Sequence, residues 1–195
     1  MGRSAWVKGW LTEARRCPSP NFNARPPGAV VRLAVVHSIS LPPGVYGGDA
    51  IERLFTNRLD WDGHPYFAGI RGLEVSAHFL VRRDGELVQF VSCDARAWHA
   101  GDSCWRGAAG CNDFSVGIEL EGLEGEPFEP AQYDRLAELL RQLDRRSPLE
   151  GVAGHEHIAA GRKTDPGPGF DWPRLVADTE WPRSRFESVF GTPPS

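Results

Sequence analysis

From Phe114 to Leu120 the chain alternates with a period of two. Phe114, Val116, Ile118 and Leu120 form one row, and Ser115, Gly117, Glu119 and Glu121 the other. That alternation predicts a strand whose apolar row packs on the core helices while Glu119 faces the other side of the sheet, toward a cleft. Val30 to Val36 is a β-branched, apolar run of strand length, broken by Arg32, and predicts a buried strand that delivers His37 at its C-terminal end, just before the Pro42-Pro43-Gly44 loop. Asp84-Gly85 between Ala77–Arg83 and Glu86–Ser92 marks a hairpin. Val152 to Ile158 reads as a last strand.

The helical period is clearest from Ala131 to Arg145, where Tyr133, Leu136, Ala137, Leu140 and Asp144 share a face and Leu139 and Leu143 widen it. Pro130 suits the first turn, because its missing N–H would have had no partner there. Ile51, Leu54 and Phe55 predict a short amphipathic helix within Asp49–Leu59, and Asp171 to Asp178 reads as another, entered through Trp172-Pro173. Residues 17–28, with four prolines and Gly28, read as irregular, and Gly191 to Ser195 as a frayed tail. Helices interleaved with strands predict an α/β (α+β) fold, a central mixed sheet flanked by helices, with a cleft at one face.

A length of 195 residues suits one domain over 1–195, its catalytic region spanning about 30–170. Lys and Arg total 22 against 26 Asp and Glu, a net charge of −4, with no basic run of the kind a nucleic-acid partner requires. No apolar stretch approaches the roughly 20 residues of a membrane span. Met1 to Thr12 lacks the apolar core of a secretory signal, so a cytoplasmic location is expected. Cys17, Cys93, Cys104 and Cys111 form no CxxC and are expected as reduced thiols.

The candidate chemistry lies in four short segments. His37, His155 and Asp165 offer two imidazoles and a carboxylate, the three-ligand set of a catalytic zinc with one open position. Taken singly each has a plainer reading: a strand-end histidine, a strand histidine, a turn aspartate before Pro166. A cysteine is also a possible zinc ligand in place of Asp165. His155-Glu156-His157 lacks the i, i+4 spacing of a helical zinc motif, and on a strand both histidines would share a face. Glu119 and Glu121 are both candidates for a base, or a solvated pair. Imidazole ligands favour zinc over magnesium or calcium.

Taken together, several stretches resemble the cytoplasmic N-acetylmuramoyl-L-alanine amidases of cell-wall recycling. They are Cys17–Asn21, Val36–Gly44, His64–Phe67, Val75–His78, Arg96–Gly101, Cys111–Ser115, Gly117–Gly122 and Arg162–Pro168. They run in the family's order and span most of the chain. The resemblance implies a fold shared with phage lysozyme-type amidases and peptidoglycan recognition proteins, and one Zn2+ per chain on His37, His155 and Asp165. It also implies Glu119 as the catalytic carboxylate, leaving Glu121 structural or at the rim.

It implies, further, hydrolysis of the bond between the muramyl lactyl group and L-alanine of an anhydromuramyl-peptide, and in some bacteria control of β-lactamase induction. Lys163, two residues from a ligand, is placed to stabilise an oxyanion. The expected form is a monomer acting on a small-molecule substrate. Substrate-binding candidates are Ser38, Tyr66, Trp98, His99 and His157, with His64–Phe67 a loop over the site and His78 a core histidine. Ser38 stands where many relatives carry Asn, and Glu74 and Gly110 where some carry arginines, which bears on how the stem peptide is gripped.

Overall fold

In a computed structural model, which describes residues 5–191, one six-stranded sheet organises the chain. Its strands are β1 (Arg15–Arg16), β2 (Leu33–Ile39), β3 (Phe79–Val81), β4 (Leu87–Gln89), β5 (Ser115–Glu121) and β6 (Gly151–Gly154). The spatial order is β6-β2-β5-β3-β4-β1. All pairs are parallel except the β3–β4 hairpin, so the sheet is mixed, as expected. Tight pairs of short strands at Trp6–Val7 with Trp10–Leu11, Phe22–Ala24 with Ala95–Ala97, and Cys104–Trp105 with Ala108–Ala109 decorate it. The last residues of the expected frayed tail, 192–195, lie outside the described residues, as do 1–4.

Both faces of the central strands are covered, and all seven residues of β5 are buried, as a parallel strand between two layers requires. One face meets the long helix, Pro130–Arg146. Val116, Ile118 and Leu120 pack there with Leu136, Ala137, Leu140 and Leu143, joined by Trp172 and Leu175 of the helix Trp172–Thr179. Gln132 ties the long helix to the sheet by donating to the carbonyls of Val81 (3.2 Å) and Glu121 (3.1 Å). The opposite face carries Leu80 and Val88 under the short helix Ala50–Phe55, and Leu33, Val35 and Ala153 under Trp105 and Phe114.

Four expectations shift. β2 does not stop at Val36; it runs to Ile39, so His37 lies inside the strand. Phe114 precedes β5 and packs beside Trp105 with Leu33 and Val35, across the sheet from Val116. β6 ends at Gly154, and His155–Ile158 is a helical turn instead of strand. His64–Phe67 is not loop throughout: His64 caps a short helix, Pro65–Gly69, its Nδ1 accepting from the Tyr66 N–H at 3.1 Å. The hairpin forms at Asp84-Gly85, but its strands are shorter than Ala77–Arg83 and Glu86–Ser92 and its turn is wider than two residues: the Arg82 N–H donates to Glu86 O at 2.9 Å and the Gly85 N–H, at φ +86°, to Arg82 O at 2.9 Å. All four cysteines are free thiols.

Candidate metal centre and active site

Sheet register brings the candidate residues together. Parallel pairing sets Glu119 of β5 beside His37 of β2, and Gly154 of β6 beside Val36. Both side chains leave the face opposite the long helix, where Ser115 and Gly117 stand on β5 and Leu33 and Val35 on β2. The chain turns into a helix directly after Gly154, which swings His155 over the ends of the strands. Gly154 leaves no room for a side chain: a Cβ there would lie 2.8 Å from both His157 Nδ1 and Pro166 Cδ. The Glu156 N–H donates to Asp165 O at 2.8 Å and so ties the Asp165 loop to that turn.

Three ligand-type atoms converge. His37 Nδ1 lies 3.0 Å from His155 Nδ1 and 3.1 Å from Asp165 Oδ2, and His155 Nδ1 lies 3.1 Å from Asp165 Oδ1. All three residues are buried. Among the described residues this is the one group of three or more His, Cys, Asp or Glu that could hold a metal ion.

Its chemistry fits a cation. His155 Nε2 faces the Ala100 carbonyl at 3.0 Å, a pure acceptor, so the neutral ring carries its proton there and presents a bare Nδ1 to a carboxylate oxygen. Two acceptors at that distance need a positive centre between them. Atoms bonded at about 2.0–2.2 Å to one tetrahedral ion sit about 3.3–3.6 Å apart, a few tenths of an ångström wider than the spacings found. Burial pushes the His37 imidazole down to about 4, with Asp165 opposing, so the ring is neutral and able to ligate at pH 7.

Beside this group runs a cleft of about 530 Å³, lined by His37, Glu119, His155, Lys163 and Asp165. Glu119 forms part of its floor. Burial pushes its carboxyl well above the ordinary range, the Asp165 charge adds, and Lys163 opposes. Its Oε2 is buried without a hydrogen-bond partner. Glu121, two residues on, has a different setting: Arg82 Nη1 donates to its Oε1 at 2.9 Å, as does the Gly47 N–H at 2.7 Å. One strand face thus carries one carboxylate open to the cleft and one sealed in an ion pair.

Of the substrate-binding candidates, Ser38, Tyr66, Trp98 and His99 line the cleft. His157 does not. Because residues 155–158 are helical, i and i+2 diverge; His157 accepts the Gly154 N–H at 2.9 Å, rests on Trp172 and borders a separate depression with Asp102 and Arg162. Of the segments between the main elements, 41–48 supplies Pro43, 59–72 supplies Tyr66, and from 98–111 only Trp98 and His99 reach the cleft. Leu73, Val75, Ser76 and Glu124 also line it; Val75 and Ser76 fall in a matching stretch without a chemical role assigned to them, and Leu73 and Glu124 belong to no motif. His78 is a buried core histidine, its Nδ1 accepting from the Gly117 N–H at 3.0 Å.

A family model for N-acetylmuramoyl-L-alanine amidase matches residues 27–168. The chain is 55% identical over 172 residues, 87% of its length and 92% of the relative's, to the 1,6-anhydro-N-acetylmuramyl-L-alanine amidase AmpD of Salmonella typhimurium strain SL1344. A crystal structure of an AmpD selenomethionine derivative superposes with a TM-score of 0.86 at 54% identity, covering 88% of this chain and 97% of that one. The Escherichia coli amidase AmiD, solved with anhydro-N-acetylmuramic acid-L-Ala-D-gamma-Glu-L-Lys, matches at TM-score 0.57 and 31% identity, over 79% of this chain and 60% of that one. The order of the strands, the convergence of two imidazoles and a carboxylate, and these similarities agree: the chain belongs to the N-acetylmuramoyl-L-alanine amidase family and is an enzyme of that class.

Proposed function

We propose that this enzyme hydrolyses the amide between the lactyl group of 1,6-anhydro-N-acetylmuramic acid and L-alanine of the stem peptide, with zinc held by His37, His155 and Asp165. The relatives' names and the AmiD complex support the substrate. Two imidazoles in the donor set support zinc over a harder cation. When bound, the ion supplies Lewis acidity for the scissile carbonyl and acidifies water toward a pKa of about 7.

The protein groups divide the remaining work. Glu119 accepts the proton of the attacking water and returns it to the leaving nitrogen of L-alanine. Its unpartnered Oε2, buried on the cleft floor beside the ligands, is the observation that carries this reading. Lys163, two residues before Asp165 on the cleft wall, places an ammonium where the carbonyl oxygen gains negative charge. Tyr66 and Trp98 offer ring surfaces to the sugar and Ser38 a hydroxyl. We read the enzyme as a cytoplasmic monomer acting in peptidoglycan recycling on imported wall fragments, without nucleic-acid or membrane partners. No helix among the described residues is long and apolar enough to cross a membrane.

The test is mass spectrometry of anhydromuramyl-tripeptide incubated with the protein. Release of free tripeptide, abolished by chelator and restored by zinc, is expected. Intact substrate after incubation with zinc-loaded protein would favour a module that binds wall fragments without cleaving them.

A further inference from the structure

We propose that the His99-Ala100 dipeptide, anchored by Asn112, sets the tautomers of both imidazole ligands, with His99 a positioning residue for His37 rather than a group that grips substrate. This inference rests on the metal reading above and concerns residues that the reaction itself leaves unused.

The backbone of the dipeptide is fixed from one side. Buried Asn112 accepts both the His99 N–H (3.2 Å) and the Ala100 N–H (2.8 Å) on Oδ1. From the other side the dipeptide reaches both ligands. The Ala100 carbonyl accepts from His155 Nε2 at 3.0 Å, and His99 Nδ1 lies 3.0 Å from His37 Nε2. The His37 and His99 rings meet edge to face, 88° apart in plane. Both nitrogens of His99 are engaged, because its Nε2 lies 3.1 Å from Ser115 Oγ. A ring with both nitrogens engaged has none left for a ligand in the cleft.

The direction of these bonds follows from proton counting. A neutral imidazole has one N–H and one lone pair. If His99 carried its proton on Nδ1, it would donate to His37 Nε2 and force the His37 proton onto Nδ1, the atom that faces His155 and Asp165. Ligation needs that atom bare. With the Ser115 hydroxyl accepting from His99 Nε2–H, His99 Nδ1 becomes the acceptor, His37 Nε2 carries the proton, and Nδ1 is free.

Gly117 makes room for the arrangement: a Cβ there would stand 2.4 Å from His99 Cγ. Along one face of β5, then, Ser115 orients His99, Gly117 admits its ring, and Glu119 reaches the cleft. Partners that fix a ligating histidine in this way commonly govern metal affinity by about 10–100-fold.

The test is zinc affinity of the full-length protein, measured by competition with a chromophoric chelator. His99→Phe keeps a ring and loses the acceptor; its affinity should fall about 10–100-fold. His99→Asn places an amide oxygen where Nδ1 was and should stay within about threefold of wild type. Asn112→Ala, which touches neither ligand, should also weaken zinc. Wild-type affinity in the Phe variant overturns the proposal, and so does an equal loss in the Phe and Asn variants, which would mark a packing effect.

A second measurement does not depend on any variant folding. Long-range 1H–15N spectra of zinc-loaded wild-type protein should place the ring proton on Nε2 in both His37 and His99, and an Nδ1–H on either refutes the assignment. Wild-type protein that binds no zinc at all would remove the metal reading itself, an outcome distinct from unchanged affinity in the variants.

Discussion

Glu119 and His37 are register partners on adjacent parallel strands, so one pleat carries both a candidate general base and a candidate metal ligand toward the same cleft. The distance between them is set by strand spacing, which a side-chain substitution elsewhere does not alter. A base built on two central strands is held more precisely than one on a loop.

Metal content is the first expectation. Purified protein should carry one zinc per chain, and alanine at His37, His155 or Asp165 should lower occupancy and activity together. Elemental analysis alongside the amidase assay measures this. Full zinc and full rate in Asp165→Ala would show that the carboxylate has been misassigned. His157→Ala should retain zinc, because that ring points to Trp172 and the Gly154 amide.

The two carboxylates of β5 should separate by phenotype. Glu119→Gln should keep zinc and stability while losing roughly 10²–10⁴ in rate, the usual effect of removing a general base. Glu121→Ala should strip the buried Arg82 of one of its two carboxylate partners, leaving Glu52, and cost about 1–3 kcal/mol of stability. Steady-state kinetics and denaturant unfolding of the two variants distinguish them. A wild-type rate in Glu119→Gln would move the search to another base. Lys163→Ala should lower kcat more than it raises KM, as expected for charge met only in the transition state.

Acid stability should depend on His78. Burial pushes its imidazole from 6.5 down to about 3, and the Arg25 guanidinium, 3.2 Å from Nε2, adds to the effect. A second proton would break the bond that Nδ1 accepts from the Gly117 N–H. The unfolded chain therefore binds a proton below about pH 6.5 that the folded chain refuses until about pH 3. The stability involved is complete above pH 6.5 and is lost progressively as pH falls through that window. The slope from this one group is about 1.4 kcal/mol per pH unit. In His78→Asn, which keeps an acceptor for Gly117, urea unfolding between pH 4 and 6 should show a flatter pH dependence; an unchanged slope would contradict the assignment.

Substrate size should matter. A cleft of about 530 Å³ is of the size that takes a small-molecule ligand. We expect kcat/KM for soluble anhydromuramyl-peptide to exceed that for purified sacculi by at least about 10²-fold, roughly 3 kcal/mol of transition-state discrimination. Comparable turnover of sacculi would point instead to a wall-degrading amidase.

The periodic parts of this chain determined themselves. The alternation of β5, the long helix behind Pro130 and the Asp84-Gly85 hairpin follow from rules that act over a few residues, and a period of two was enough to turn Glu119 away from the long helix. The motif order sufficed to nominate His37, His155 and Asp165. Local rules failed where the chain changes conformation under tertiary constraint. His155 and His157 read as strand-mates, yet β6 ends at Gly154, where Pro166, Trp172 and the His157 ring crowd the backbone and the next residues wind into a helix.

His99 read as a cleft residue because its sequence neighbours are aromatic and glycine. Only the folded chain brings Ser115, Gly117 and Asn112 around it and commits both its nitrogens. Glu119 and Glu121 are equivalent in sequence, and what separates them is Arg82, 39 residues from Glu121, brought to one carboxylate and not the other. Residue types and short periods set which groups are available; which of them meet is decided by strand register and by contacts between residues distant in the chain.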